Sequence, residues 1–221
     1  MSEEAAAAPA PGPTRPLMPG WLRQAIVESV LIVVSLLLAL GLNEWNEARV
    51  RAERVAELRQ FFVEEIRSNR TRLASDEIYP HHLRLRKALA GYEGADRPTE
   101  ADRERAFAPF RTGVHPMGFR DAVWRSAGFG DLLQHMDQRE VFMLADIYRL
   151  QENLDEINRA AYSQLISANP GSEDPAEVAK LVRTLQLYLG DVTAIEAELL
   201  VLYGRALKQL SDEPKRARAR S

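Results

Sequence analysis

WLRQAIVESVLIVVSLLLALGLNEW, residues 21–45, is the stretch on which the reading of this chain turns. From Ala25 to Leu42 the clearly polar residues are Glu28, Ser29 and Ser35, and as a helix this run is roughly 27 Å long at about 1.5 Å per residue. That length matches the hydrocarbon core of a bilayer. Trp21 and Trp45 bracket the run about 36 Å apart along the axis, so both indoles reach the headgroup levels. Arg23 at one end and Asn43, Glu44, Asn46 and Glu47 at the other hold the ends in water. Glu28 sits one turn inside the N-terminal edge, where its carboxylate can reach the interface, take a proton or pair with a neighbouring helix.

Two other readings compete with a membrane anchor. A cleaved signal peptide would use the small-x-small triplet Ala39-Leu40-Gly41, but its charged start is weak and its apolar run is long. A core helix of a soluble protein would carry one polar face, and this run carries none. The expectation is a transmembrane helix over 21–45, with the lipid bilayer as its partner.

The remainder of the chain is bounded by composition. A net charge of −3 with 28% charged residues gives no basic field, so nucleic acid is not an expected partner. The absence of cysteine excludes disulfides, thiolate catalysis and Cys-ligated zinc or iron–sulfur sites. Residues 1–20 are Ala/Pro-rich without apolar period and read as a flexible tail. Arg15 and Arg23 precede the anchor, and Arg49, Arg51, Arg54 and Arg59 follow it. A charge count alone puts the C-terminal side in the cytoplasm, yet long domains translocate largely regardless of charge. The expectation is an N-terminus inside and a domain outside, in the periplasm.

Residues 46–212 read as an all-α bundle. Val55, Leu58, Phe62, Ile66, Asn69 and Leu73 continue at helical spacing with no Gly or Pro after Trp45, so the anchor helix is expected to run on into the bundle. Pro80 interrupts it, and a helical hairpin near Tyr79 is expected. Thr99 and Asp102 mark a short helix within the Gly/Pro-rich stretch 91–118. Asp137 and Glu140 form a capping box before a helix whose stripe is Ile147, Leu150, Leu154, Ile157, Ala161 and Leu165, ended by Asn169-Pro170-Gly171. Asp174 then caps a helix with Pro175 at its first position. Its seam is Val178, Leu181, Leu185, Tyr188, Val192, Ile195, Leu199, Leu202 and Ala206, unbroken through Gly190. These helices are expected to be antiparallel neighbours, and residues 213–221 to be a basic tail.

Chemistry is sparse. His81, His82, His115 and His135 form no HExxH or i,i+4 pair, and His81 and His82 point to different faces of a helix, so no metal is expected. The acidic residues around His135 are largely explained by capping, and the other carboxylates read as solvated helix faces. Gly128-Phe129-Gly130 lacks the rest of a phosphate loop and reads as a tight turn packing Phe129 beside Trp124. No cofactor is expected.

Four pieces resemble a known group: Glu28 to Leu40, Asn43-Glu-Trp-Asn-Glu47, Ala122-Val-Trp124-Arg-Ser-Ala-Gly128, and Asp137 to Tyr148. They are similar to a widespread group of uncharacterised bacterial single-pass inner-membrane proteins with an anchor ending in an Asn/Asp-x-Trp-x-Glu motif and a later Trp-x-x-x-Gly segment. The resemblance covers the anchor and parts of the bundle, and implies bacterial origin and membrane anchoring but no activity. The functional expectation is a membrane-tethered helical interaction or scaffold protein without a catalytic site, partnered by itself or by other membrane proteins. The alternative is a sensor-like bundle holding a small molecule near His115, Arg120, Trp124, Arg125 and Gly128, and an enzyme ranks third.

Overall fold

The computed structural model describes residues 20–93, 99–167, 172 and 174–218. The tail before Gly20, the break at Asn169-Pro170-Gly171 and the last three residues lie outside them. Six α-helices carry the fold: α1 Gly20–Leu73, α2 Tyr79–Glu93, α3 Glu100–Phe107, α4 Ala122–Gly128, α5 Gln138–Ser167 and α6 Pro175–Arg218. Two 3-10 turns, Ala108–Thr112 and Leu132–His135, join the shorter ones, and no strand occurs among the described residues.

The chain divides into two compact units, Met1–Val50 and Arg51–Ser221. In the first, α1 is long and apolar enough to cross a membrane, and none of its most apolar window is buried by the rest of the chain. Ile32, Leu37 and Leu42 are each more than half exposed. The alternative of a soluble core helix therefore fails.

In the second unit α1 buries the expected stripe Val55, Leu58, Phe62, Ile66, Asn69 and Leu73, and Glu65 with it. The local start signals hold as well. Thr99 and Asp102 form a reciprocal capping box on α3, and the Asp174 carboxylate accepts the Ala176 N–H at the start of α6. At α5, Asp137 accepts from the Arg139 N–H, but Glu140 turns inward to meet Arg59 of α1 at 2.9 Å. The helix of α6 also runs past Pro214 to Arg218, through much of the expected basic tail.

Side-chain pairs fix the directions of the helices. Gln151 meets Tyr203 and Asn158 meets Tyr188, so α5 and α6 are antiparallel. His82, Arg86 and Leu89 of α2 meet Glu196, Thr193 and Gln186 of α6 in descending order, so α2 is antiparallel to α6 too. Arg59 meets Glu140 and Glu65 meets Tyr148, which makes α1 parallel to α5. It follows that α2 runs in the same sense as α1. The expected hairpin near Tyr79 is instead a broken helix, interrupted over residues 74–78. Pro80 causes no reversal because it occupies the first turn of α2, where a missing N–H costs nothing.

The two long seams hold in part: on α6 six of the nine expected positions, Val178, Leu185, Tyr188, Val192, Leu199 and Ala206, are buried, and on α5 Ile147 and Leu154 are. On α6 the most buried stripe is Val178, Val182, Leu185, Leu189, Val192, Glu196, Leu199, Tyr203, Ala206 and Leu210. Leu181, Ile195 and Leu202 are only half-buried. On α5 the buried line takes in Glu140, Leu144, Ile147, Tyr148, Gln151, Leu154 and Asn158. Polar residues with distant partners occupy the places that an apolar rule assigns to their neighbours.

Gly190 lies within α6, and a Cβ there would meet nothing within 4 Å. Gly190→Ala is therefore expected to stabilise the bundle by about 0.5–1 kcal/mol, through helix propensity alone. An unchanged or lowered urea midpoint would show that this position needs glycine for another reason.

Candidate functional site

Between the 3-10 turn at Ala108–Thr112 and α4 the chain is extended, with neither a helix nor a sheet to satisfy its backbone. Side chains of α1 and α2 do so in its place. His81 donates through Nε2 to the Gly113 carbonyl at 2.8 Å, and His82 through Nε2 to that of Val114 at 2.6 Å. Further along, Arg72 donates to the Gly118 carbonyl, and Asn69 both donates to the Arg120 carbonyl and accepts its N–H. Glu65 accepts the Val123 N–H at the start of α4 and the Tyr148 hydroxyl at 2.6 Å. The segment is thus a strap running antiparallel to α2 and α1. Two sequence expectations are corrected here. His81 and His82 serve adjacent carbonyls of one strap, and Glu65, Glu140 and Glu196 are buried rather than solvated.

The His82 ring is sealed from solvent. A carbonyl only accepts, so Nε2 carries a proton, and Nδ1 lies 2.8 and 3.0 Å from the two oxygens of Glu196. Both side chains are 1% exposed.

By docking α4 onto α1 and α5, the strap creates a groove of about 520 Å³. Its floor is aromatic: Trp124 stacks on Tyr148 with centroids 5.0 Å apart and planes 9° apart, and Phe119 lies beside them. Its rim carries charges of both signs. Arg125 is held by Asp121 at 2.6 Å, and Arg149 by Asp146 at 3.1 Å. Gln151, 3% exposed, donates to the Tyr203 hydroxyl, while its Oε1 has no hydrogen-bond partner. Asp155 lies one turn further along α5, and burial pushes its carboxyl above the usual range despite the nearby Arg159.

The sequence-derived candidates separate in space. Trp124 and Arg125 line the groove; His115, Arg120 and Gly128 do not. His115 stacks on His81 at 5.0 Å and adopts φ 56°, the positive-φ turn residue at the head of the strap. Arg120 is exposed and contributes its backbone to Asn69. Gly128 ends α4, and Phe129 beyond it is 94% exposed, so it does not pack beside Trp124. Sequence reasoning missed Tyr148, Gln151 and Asp155. Their spacing of three and four residues on α5 was the available signal, hidden because it mixes aromatic, amide and acid. No group of three or more potential metal ligands occurs among the described residues.

The chain matches no protein-family model, no curated protein and no solved structure.

Two expectations follow from this geometry. Glu65→Ala would leave the Tyr148 hydroxyl and the Val123 N–H without acceptors and should cost about 2–4 kcal/mol in urea unfolding, with Glu65→Gln milder. A loss below about 1 kcal/mol would mean that Glu65 does not hold the strap. The second concerns alkali. Burial pushes the Tyr188 hydroxyl up to about 12, and those of Tyr148 and Tyr203 above the ordinary tyrosine value. Because the folded state keeps these protons longer than the unfolded state, their contribution is complete below pH 10 and falls from there, the Tyr188 share through about pH 12 and those of Tyr148 and Tyr203 beyond it. Thermal melts should fall across that window, with part of the tyrosinate absorbance appearing only on unfolding.

Proposed function

We propose that this chain is a single-pass protein of the bacterial inner membrane, anchored through residues 21–45, whose helical bundle engages partners and performs no catalysis of its own. The observation that carries this reading is the uncovered apolar surface of α1 between Ile26 and Leu42. The twelve Leu, Ile and Val residues in that interval favour insertion by on the order of 4–7 kcal/mol. That outweighs the roughly 3 kcal/mol that a charged side chain such as Glu28 would cost even at the bilayer centre. The resemblance of the anchor and of the Trp124–Gly128 segment to bacterial inner-membrane proteins supports the location, and the periplasmic placement rests on long domains being translocated largely regardless of flanking charge.

Alkaline phosphatase fused after Ser221 should be active, and the product should stay in the membrane through carbonate extraction at full chain length. Loss on extraction, or a chain shortened near Gly41, would overturn anchoring. A silent phosphatase with a fluorescent cytoplasmic reporter in its place would overturn the periplasmic placement.

The groove favours a second, sensor-like reading, in which a small molecule occupies the space between α4 and α5. Its volume and aromatic floor suit a ligand site, and Gln151 Oε1 is a buried acceptor with no donor.

A further inference from the structure

We infer that the groove between α4 and α5 takes a small organic cation bearing N–H groups, an ammonium or guanidinium, held by Asp155 and Gln151 beside Trp124. This rests on the sensor-like reading and assigns it a ligand class. Both signs of charge line the groove, and the decisive distinction is which groups are already engaged. Arg125 is tied to Asp121 and Arg149 to Asp146, and Arg159 spends its Nε on the backbone carbonyl of Asp155. On the other side of the ledger, the carboxylates of Glu152 and Asp155 receive no hydrogen bond and form no ion pair among the described residues.

What the groove leaves unmatched is therefore acceptor capacity, with the two carboxylates of Glu152 and Asp155 facing the one guanidinium of Arg159. Gln151 Oε1 is the buried instance. Its amide N–H donates to the Tyr203 hydroxyl, and an incoming ligand donor would satisfy the oxygen while leaving that bond in place. Left as it is, such a group carries a desolvation cost of about 1–3 kcal/mol, and a ligand N–H removes it. Gln151 and Asp155 are four residues apart on α5 and share a face, so one ligand can donate to both. Trp124, one face of which is covered by Tyr148, lines the same groove and adds an aromatic ring that attracts a cation. An anion would meet the carboxylates of Glu152 and Asp155, and would leave Gln151 Oε1 as it is.

The test uses the full chain in detergent micelles, labelled with ¹⁵N-tryptophan. There are three indole resonances, from Trp21, Trp45 and Trp124, and Trp124→Phe identifies the third. Propylammonium and methylguanidinium should move the Trp124 signal saturably, with a Kd in the millimolar range or tighter, and leave the other two in place. Asp155→Asn should weaken this about tenfold, the loss of one charge-assisted hydrogen bond, and tetramethylammonium, which has no N–H, should bind weaker by a similar factor. If propionate moves Trp124 and the cations do not, the groove remains a ligand site and the cation assignment falls. Equal binding of tetramethylammonium, or an unaffected Asp155→Asn, overturns it too. If neither the cations nor propionate moves Trp124, the sensor-like reading falls with it.

Discussion

The bundle depends on how the backbone of residues 113–123 is satisfied. An extended segment laid against helices has no ladder of its own, and each buried N–H or C=O without a partner costs as much as a lost hydrogen bond. Here the partners are His81, His82, Arg72, Asn69 and Glu65, drawn from two helices. Hence polar residues occupy the buried stripe of α1, where an apolar residue would pack as well but could not accept or donate. The same bonds hold α4 in place, and with it Trp124 against Tyr148. The groove is a consequence of strap satisfaction.

The break at residues 74–78 belongs to the same constraint. In one continuous helix, His82 would lie about 220° around the axis from Asn69, on nearly the opposite face. A strap could then be pinned by one set or the other. Interrupting the helix for five residues resets the phase without reversing direction, so Asn69 and His82 face the same strap while α1 stays beside α5 and α2 beside α6. A proline near the junction suggests a reversal when only sequence is considered. Its effect depends on where it falls in the turn, and at the start of a helix it is compatible with continuation in the same sense.

What was legible in the sequence was local or apolar. The anchor run, the stripe from Val55 to Leu73, the Thr99 box and the Asp174 start each depend on residues within a few positions of one another. What was not legible was polar burial with a distant partner. Glu196 is acceptable in the core because His82, separated from it by 114 positions, meets its carboxylate. A periodicity rule without that pairing passes over Glu196 for Ile195, and likewise Tyr203 for Leu202, shifting those positions of the seam by one residue. Of the candidate site, Trp124 and Arg125 were found because an isolated indole and guanidinium in an irregular stretch are conspicuous. Gln151 and Asp155 looked like ordinary surface residues of an amphipathic helix, and Phe129, an aromatic expected inside, points into solvent.

The polar pairs also account for why a heptad seam of this length settles in one register. Apolar side chains recurring every three and four residues are nearly equivalent after a shift of seven, so hydrophobic burial alone distinguishes such registers poorly. Sliding α6 by seven residues against its neighbours would bring Leu189 or Tyr203 to the place of Glu196 and strip His82 of its carboxylate. It would equally bring Glu196 or Leu210 to Gln151 in place of Tyr203, and part Tyr188 from Asn158. Each separated group would cost about 1–3 kcal/mol, and the charged ones more. Three such pairs, set at different heights on α6, reject every seven-residue slip at once, while the leucines and valines between them supply the burial that makes the helices associate at all.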